Sequence, residues 1–282
     1  MTGTPCAPAH LTTRGGPARV RLSHVEHIAE RLSPRDTQIM DTVHRLRLAT
    51  GNQLERLHFA DLAEGCRSRV RRRVLNRLTS WRVLATLPRR VGGVRAGSTG
   101  LVYHLDTAGN WLMRHQAART GTTAPRRTTG PSPKLATHTL AITELYVQLA
   151  EHARTGAFRI AAFETEPACW WPNTAGRHLK PDAHTLLATS TYQDAWWIEI
   201  DLATETLPRI KKKLLSYLDF AHQGGTGPAG VLPRILITTP TAQRCTAVTG
   251  LITALAPPAE HLFHAVPHEA ATDLLLHTLL NP

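Results

Sequence analysis

The sequence predicts an α+β protein in two parts. The first is an arginine-rich helical module that ends in a basic hairpin, and the second is a mixed sheet surrounded by helices. Apolar residues recur at helical spacing in the first third of the chain, and strand-like segments alternate with helical ones after residue 134. Charge is also uneven, because residues 1–120 hold 20 arginines and 8 acidic residues, whereas 121–282 hold 13 basic and 13 acidic residues. Such asymmetry is typical of a nucleic-acid-binding module joined to a second domain.

Composition argues against several classes of protein. No apolar run is long enough to cross a membrane. The first 21 residues are rich in Pro, Thr, Gly and Arg and lack the apolar centre of a secretory signal. The four cysteines are scattered without a CxxC pair, which favours reduced thiols and argues against a zinc knuckle. We therefore expect a cytoplasmic protein without membrane contact.

The N-terminal module is predicted to contain three main helices. Residues 1–22 have the composition of a disordered segment, and the capping-box spacing that begins at Ser23 predicts a short helix. Ser33 as N-cap and Pro34 in the first turn begin a longer helix, since apolar residues then recur at helical spacing. A further short helix is expected after Thr50.

The helix expected over 67–80 is the main candidate for contact with nucleic acid. Its apolar stripe faces inward, and arginines occupy its outer face. Ten arginines and no acidic residue lie between residues 65 and 105. Two strand-like runs, 83–87 and 101–105, flank a Gly/Arg-rich tip and predict a hairpin. The candidate DNA-binding residues are Arg67, Arg69, Arg72, Arg73, Asn76 and Arg77 on the helix, and Arg89, Arg90 and Arg95 on the tip.

Three helices followed by a basic hairpin resemble a winged helix–turn–helix domain, over residues 33–115. The resemblance implies that the third helix enters the major groove of double-stranded DNA while the hairpin contacts the neighbouring backbone. Arginine suits this role because its planar fork binds phosphates and guanine bidentately. The alternative is a solvated basic face without a ligand. We assign this domain to residues 23–116 and a Pro/Gly/Thr-rich linker to 117–134.

The second domain, residues 135–282, is predicted to be a mixed sheet with helices around it. The expected elements are a helix (135–154), three strands (158–163, 179–188, 195–202), a helix (207–222), a strand (234–239), a helix (241–255), a strand (262–266) and a helix from 268. Side chains alternate along a strand, so Glu199 and Asp201 share one face at about 7 Å spacing. Asp182, on a neighbouring strand, can join them.

Three carboxylates on one sheet face repel one another unless a cation neutralises them. Oxygen-only ligands suit Mg²⁺ or Mn²⁺, so Asp182, Glu199 and Asp201 are the predicted metal ligands. Lys213 shares a helical face with Tyr217, and we expect it to point toward these acids. The predicted catalytic residues are therefore Asp182, Glu199, Asp201 and Lys213. A weaker alternative places a metal at His261, His264 and His268.

These residues resemble the PD-(D/E)XK nuclease superfamily, over residues 135–240. Pro181-Asp182 matches its PD element, Glu199-Ile200-Asp201 occupies its (D/E)XK element, Lys213-Leu214-Leu215-Ser216-Tyr217 resembles its Q-x-x-x-Y helix, and Glu144 lies where many members place another acid. The resemblance implies that two acids hold a metal while the lysine positions the attacking water. Asp201 replaces that lysine, so catalysis depends on whether Lys213 takes over its role.

The whole arrangement resembles the replication-relaxation family, over residues 32–239. The residues that carry it are Leu32-Ser33-Pro34-Arg35-Asp36, Leu54-x-x-Leu57-His58-Phe59 and Glu199-x-Asp201-x-x-Thr204-Glu205. The resemblance implies a role in the replication and DNA relaxation of plasmids and other mobile elements. Three hypotheses stay open: a Mg²⁺-dependent nicking endonuclease, a non-catalytic replication or transfer factor, and a transcriptional regulator. The expected partners are double-stranded DNA, a second copy of the chain, and replication or conjugation proteins.

Overall fold

A computed structural model describes residues 22–87, 100–120, 133–173 and 176–281. The predicted α+β class is confirmed, since helices surround a mixed five-stranded sheet and a smaller three-stranded sheet. Several predictions lie outside the described residues: disorder over 1–21, the hairpin tip with Arg89, Arg90 and Arg95, and the central part of the linker. None of the described helices is long and apolar enough to span a bilayer.

The N-terminal part has the predicted helices and hairpin. In chain order its elements are α1 (Leu22–Arg31), α2 (Pro34–Leu46), β1 (Ala49–Thr50), α3 (Gly51–His58), α4 (Glu64–Ser80), β2 (Leu84–Thr86), β3 (Val102–Leu105) and α5 (Thr107–Thr120). Ser33 caps α2 through a capping box with Asp36, and Thr50 caps α3 in the same way with Gln53. The very short β1 was not predicted; it pairs antiparallel with β3, which also pairs with β2.

One glycine fixes how α5 packs against the hairpin. A Cβ added to Gly109 would lie 2.3 Å from the backbone carbonyl oxygen of Val83, just before β2. Only glycine allows this close approach of two backbones. The apolar cluster of this part, which includes Ile39, Leu54 and Leu75, lies among α2, α3 and α4.

The C-terminal part follows the predicted order of helix, three strands, helix, strand, helix, strand and helix, with small additions. Its elements are α6 (Pro133–Ala153), β4 (Arg159–Thr165), β5 (Trp171–Pro172), β6 (His178–Leu179), β7 (Ala183–Ala188), β8 (Gln193–Ile200), α7 (Leu207–His222), β9 (Arg234–Thr239), α8 (Ala242–Thr253), α9 (Ala259–Leu262), β10 (Phe263–Pro267) and α10 (Ala271–Leu280).

The five-stranded sheet has the order β10-β9-β8-β7-β4. Strands β4, β7 and β8 are antiparallel, whereas β8, β9 and β10 are parallel. The predicted strand 179–188 is interrupted, because β6 pairs with β5 instead and β7 begins only at Ala183. Pro181 lies in the gap, and proline has no N–H to donate to a strand ladder.

The sheet has an apolar core on each face. Trp196 packs in the cluster that includes residues of α6 and α10, and Trp197 packs in the cluster that includes residues of α7 and α8. Both indoles are fully buried, as expected for successive residues of a strand covered on both faces. Glu199 is two residues beyond Trp197 and therefore lies on the α7 face, at the end of the strand.

The two parts pack directly against each other. Leu46 of α2 belongs to the apolar core of the large sheet. The hydroxyl of Thr143 in α6 donates to the carbonyl of Leu48, and the hydroxyl of Thr165 in β4 donates to the carbonyl of Arg45, each at 2.7 Å. The described N-terminal elements are thus joined to α6 and β4 by buried contacts in addition to the chain connection.

Candidate functional site

The candidate site is a cavity of about 410 Å³ at the point where β8 ends and β7 begins. Asp182, Glu199, Asp201 and Lys213 all line it, together with His138 and Tyr217. Asp182 lies just before β7, Glu199 lies near the end of β8, and Lys213 and Tyr217 come from α7. The structure therefore brings the four predicted catalytic residues to one cavity.

Glu199 is bound on both oxygens by α7. Lys213 Nζ lies 2.7 Å from Oε2, and the Tyr217 hydroxyl donates to Oε1 at 2.6 Å. The residue is only 5% exposed. Burial raises the pKa of Glu199 to about 7, even though the adjacent ammonium of Lys213 opposes this shift. Burial also disfavours the ammonium of Lys213, but the carboxylates of Glu199 and Asp182 outweigh it and raise the Lys213 pKa.

Asp182 is held at one oxygen by the backbone and by a histidine. Its Oδ2 accepts from the backbone N–H of Ile200 at 2.8 Å and lies 3.1 Å from His138 Nε2. That nitrogen also lies 3.1 Å from the Ile200 carbonyl oxygen, so it faces two acceptors and carries a proton. Burial would raise the pKa of Asp182, but the His138 hydrogen bond and the charge of Lys213 outweigh it, and the pKa is lowered.

Asp201 does not join the other two carboxylates in a cluster. Its Oδ2 accepts from Arg244 Nε at 2.6 Å, and its Oδ1 accepts from the Ala203 backbone N–H at 2.8 Å. Arg244 also donates to the carbonyl of Glu205 at 2.6 Å. Strand β8 ends at Ile200, so the alternation of side chains used to place Asp201 beside Glu199 stops one residue too early.

The predicted group of three carboxylate ligands is consequently not assembled. In the described parts of the chain, no three or more His, Cys, Asp or Glu side chains are placed to hold a metal ion together. The same finding applies to the histidine alternative: His264 packs its ring edge against Trp196, and His268 Nδ1 lies 2.8 Å from the Thr238 hydroxyl.

Glu144 does not serve the cavity either. Its carboxylate accepts from Arg56 at 2.5 Å and from the side-chain amide of Gln53 at 2.9 Å. Arg56 also forms a two-bond pair with Glu151. The acid expected to extend the site therefore connects α6 to α3.

The outer face of α4 is cationic and accessible. Arg69, Arg72, Arg73 and Asn76 are all exposed, and their spacing of three, four and seven residues places them on one helical face. Among the described residues, none of these three arginines forms an ion pair with an acid. The predicted exposed face is present.

Two other predicted DNA-binding arginines are engaged inside the protein. Arg67 donates to the carbonyls of Leu62 and Ala60, at 2.7 and 3.0 Å. Arg77 Nη2 lies 2.7 Å from both carboxylate oxygens of Asp36, which is fully buried. A buried carboxylate requires its partner, so we assign Arg77 to the fold and not to a DNA contact.

Sequence reasoning missed His138 and Arg244. They lie 44 and 43 residues from their aspartate partners, so no local pattern joins them. One signal could have found His138: it precedes Ile142 by four residues and Leu145 by seven, which places it on the inward face of α6. Nothing comparable marks Arg244.

The family model described as replication-relaxation matches residues 40–235, which include α3, α4 and all the acidic residues of the cavity. Neither the comparison with curated proteins nor the comparison with solved structures found a match.

Proposed function

The chain belongs to the replication-relaxation family, and from that premise we propose that it is a DNA-binding protein of plasmid or mobile-element replication. The observation that carries this proposal is the exposed face of Arg69, Arg72, Arg73 and Asn76 on α4. Arginines free of acidic partners are available to phosphates and to guanine edges. DNA and other replication proteins are the partners that this role implies.

Neutralising the α4 face tests DNA binding. We expect the triple variant R69Q/R72Q/R73Q to bind a short duplex more weakly. The magnitude of the negative slope of log K against log salt should decrease by roughly 0.9 for each phosphate that the variant no longer neutralises. Arg159→Gln is the control, because this exposed arginine lies at the start of β4. An unchanged slope in the triple variant would remove α4 as the DNA-binding surface.

For the cavity, we propose a cleavage reaction on the phosphodiester backbone of DNA. Lys213 would take the role of the lysine of the (D/E)XK element, since Asp201 stands at that position in this chain. The contact of Lys213 with Glu199 supports this assignment. An ammonium at this position offsets negative charge that develops on phosphate oxygens and can orient a water molecule. Tyr217 fixes Glu199, and His138 fixes Asp182. These residues would keep both carboxylates in place around the substrate.

Two of the three predicted ligands fit a divalent cation. Burial raises the pKa of Glu199 although Lys213 is adjacent, so a further cation beside it would stabilise its carboxylate form. Mg²⁺ is commonly held by one or two carboxylates, with substrate phosphates as further ligands. Asp182 and Glu199 would hold Mg²⁺ or Mn²⁺, without Asp201. Such an ion, when bound, supplies a more acidic water and charge neutralisation.

Plasmid nicking tests the proposed cleavage. Full-length protein with Mg²⁺ or Mn²⁺ should convert supercoiled plasmid into open circles. Asp182→Asn should abolish this conversion, and Asp273→Asn, which changes an exposed acid on α10, should retain it. Absence of nicking in the wild type, or equal nicking by Asp182→Asn, contradicts the cleavage proposal and leaves the DNA-binding proposal standing.

One observation favours a non-catalytic factor as the second candidate. Each of the three acids already has a basic partner within the protein: Asp182 with His138, Glu199 with Lys213 and Asp201 with Arg244. In that case the second part is a scaffold that supports α4 and recruits partners. DNA affinity should then be unchanged by a chelator, and a strain carrying Asp182→Asn should maintain the plasmid normally.

A further inference from the structure

A second cavity adjoins the candidate site further along α7. It has a volume of about 360 Å³ and lies between α7 and the hairpin formed by β5 and β6. Lys213 and Tyr217 line both cavities, so the two spaces meet at these side chains. The hairpin wall carries Arg177, His178 and Lys180.

The described part of this hairpin is fastened to its surroundings. The Trp171 indole N–H donates to the carbonyl of Thr226 at 2.7 Å. The side-chain oxygen of Asn173 accepts from the backbone N–H of Arg177 at 2.8 Å. The ammonium of Lys180 lies 4.5 Å from the ring centroid of Trp170, within the range of a cation–π contact. Arg177 and Lys180 therefore extend from an anchored backbone.

The basic residues of this hairpin have no acidic partners among the residues that the structure describes. Arg177, His178 and Lys180 are exposed, and within the described ranges neither Arg177 nor Lys180 has an ion-pair partner. Asp219 is the acidic residue on the opposite wall.

The excess of positive charge on this hairpin is not apparent from the sequence, because residues 121–282 carry equal numbers of basic and acidic residues. Three of those acids, Glu144, Glu151 and Glu166, are paired with arginines of the N-terminal part: Arg56 binds the first two, and Arg47 binds Glu166 at 2.9 Å. In the folded protein these three acids of the C-terminal part are therefore neutralised where it packs against the N-terminal part. Cations remain uncompensated near the site.

We propose that this hairpin and cavity are a second DNA contact, which binds the sugar-phosphate backbone of a strand as it leaves the Asp182–Glu199 cavity. The inference rests on the proposed function of that cavity. Arginine and lysine bind phosphate through charge-assisted hydrogen bonds. Lys213 and Tyr217 line both cavities, which places this surface next to the proposed phosphodiester site. An acidic peptide is a weaker candidate, because nothing but the charge of the wall favours it.

Salt-dependent binding tests this second contact. Full-length wild type, Arg177→Gln and Lys180→Gln are titrated with a short duplex and with a single strand of the same sequence. On the form of DNA that is bound, each variant should reduce the magnitude of the slope of log K against log salt by about 0.9 for duplex or about 0.7 for the single strand. A reduction on one substrate and not on the other identifies that form.

Arg159→Gln is the matched control, since Arg159 is another exposed arginine of this part. It should leave both slopes unchanged. Thermal unfolding of all three variants should match that of the wild type, because these side chains are exposed. Slopes equal to the wild type in Arg177→Gln and Lys180→Gln, or an equal decrease in Arg159→Gln, overturn the proposal.

The outcome is separable from the proposed functions. If the α4 triple variant keeps its slope while the slopes of the hairpin variants decrease, the α4 proposal fails and the hairpin contact stands. If wild type does not nick plasmid but the hairpin slopes still decrease, the surface binds DNA without cleavage nearby, and only its link to a reaction fails.

Discussion

Replacing Lys213 with methionine tests the electrostatics of the candidate site. The change removes the ammonium 2.7 Å from Glu199 Oε2 and keeps an apolar side chain of similar length. Glu199, with its side chain 6% exposed, then retains only the Tyr217 hydroxyl as a partner. Its carboxylate form becomes costly, so the folded-state pKa of Glu199 should rise further above about 7.

Breaking a buried ion pair by removing one partner costs roughly 3–5 kcal/mol. Two features reduce that loss here. The Lys213 side chain is 37% exposed, so water screens part of the interaction. Glu199 can also take up a proton, and each unit of pKa shift corresponds to about 1.4 kcal/mol. We therefore expect Lys213→Met to lower the free energy of unfolding by about 1–2 kcal/mol near pH 8.

The loss should depend on pH in a defined direction. A carboxyl whose folded pKa is raised stabilises the fold at low pH, and that contribution is lost as pH rises from the unfolded pKa through the folded one. For wild-type Glu199 this interval runs from 4.5 to about 7, and in the variant it extends higher. Near pH 6 Glu199 is largely protonated in both proteins, so the difference should be under about 1 kcal/mol.

Urea denaturation at the two pH values measures this difference. Lys212→Met is the control, because Lys212 is the exposed neighbour on α7 and has no ion-pair partner in the described part of the chain. Its effect should stay within about 0.5 kcal/mol at both pH values. A loss in Lys213→Met that is equal at both pH values, or no larger than that of Lys212→Met, would refute the coupling between Lys213 and Glu199.

Two further predictions concern ion pairs that do not include Lys213. Arg56→Met should lower the free energy of unfolding by about 1–2 kcal/mol, because it breaks the α3–α6 pairs, whose side chains are about one-third exposed. Arg72→Met is the control, and in urea denaturation its free energy of unfolding should stay within about 0.5 kcal/mol of the wild type. Equal losses in Arg56→Met and Arg72→Met would show that the α3–α6 ion pairs do not stabilise the fold. Asp201→Asn removes the charge partner of Arg244, whose side chain is only 16% exposed. We expect the free energy of unfolding to fall by about 2–3 kcal/mol. The nicking rate of Asp201→Asn per folded molecule should equal that of the wild type. A loss of nicking would mean that Asp201 takes part in the reaction.

The sequence determined most of the fold through local signals. Caps at Ser33 and Thr50 placed α2 and α3, and the apolar stripe placed α4, whose observed start at Glu64 is three residues earlier than predicted. Period-two alternation placed Trp197 and Glu199 on one face of β8. The short strand β1 was missed, because two residues give no periodic pattern and its pairing with β3 is non-local.

The site was predictable where it depends on one element and its nearest neighbour. The helical face that Lys213 shares with Tyr217 indicated that Lys213 points inward, and in the structure its ammonium contacts Glu199. The contact of Tyr217 with Glu199 was not predicted. Asp201 was misplaced because the strand ends at Ile200, and a local turn to Ala203 then redirects its side chain. Its ion pair with Arg244 depends on how α8 packs, which no local pattern encodes.

We propose that the Asp182–Glu199–Lys213 cavity acts on the DNA backbone, with Lys213 as its catalytic lysine. The most direct measurement is the nicking of supercoiled plasmid in Mg²⁺ by wild type, Lys213→Met and Lys212→Met, at a temperature where all three are folded. The wild type and Lys212→Met should nick, and Lys213→Met should be slower by roughly 100-fold or more. No nicking by the wild type, or equal rates for Lys213→Met and the wild type, would contradict the claim.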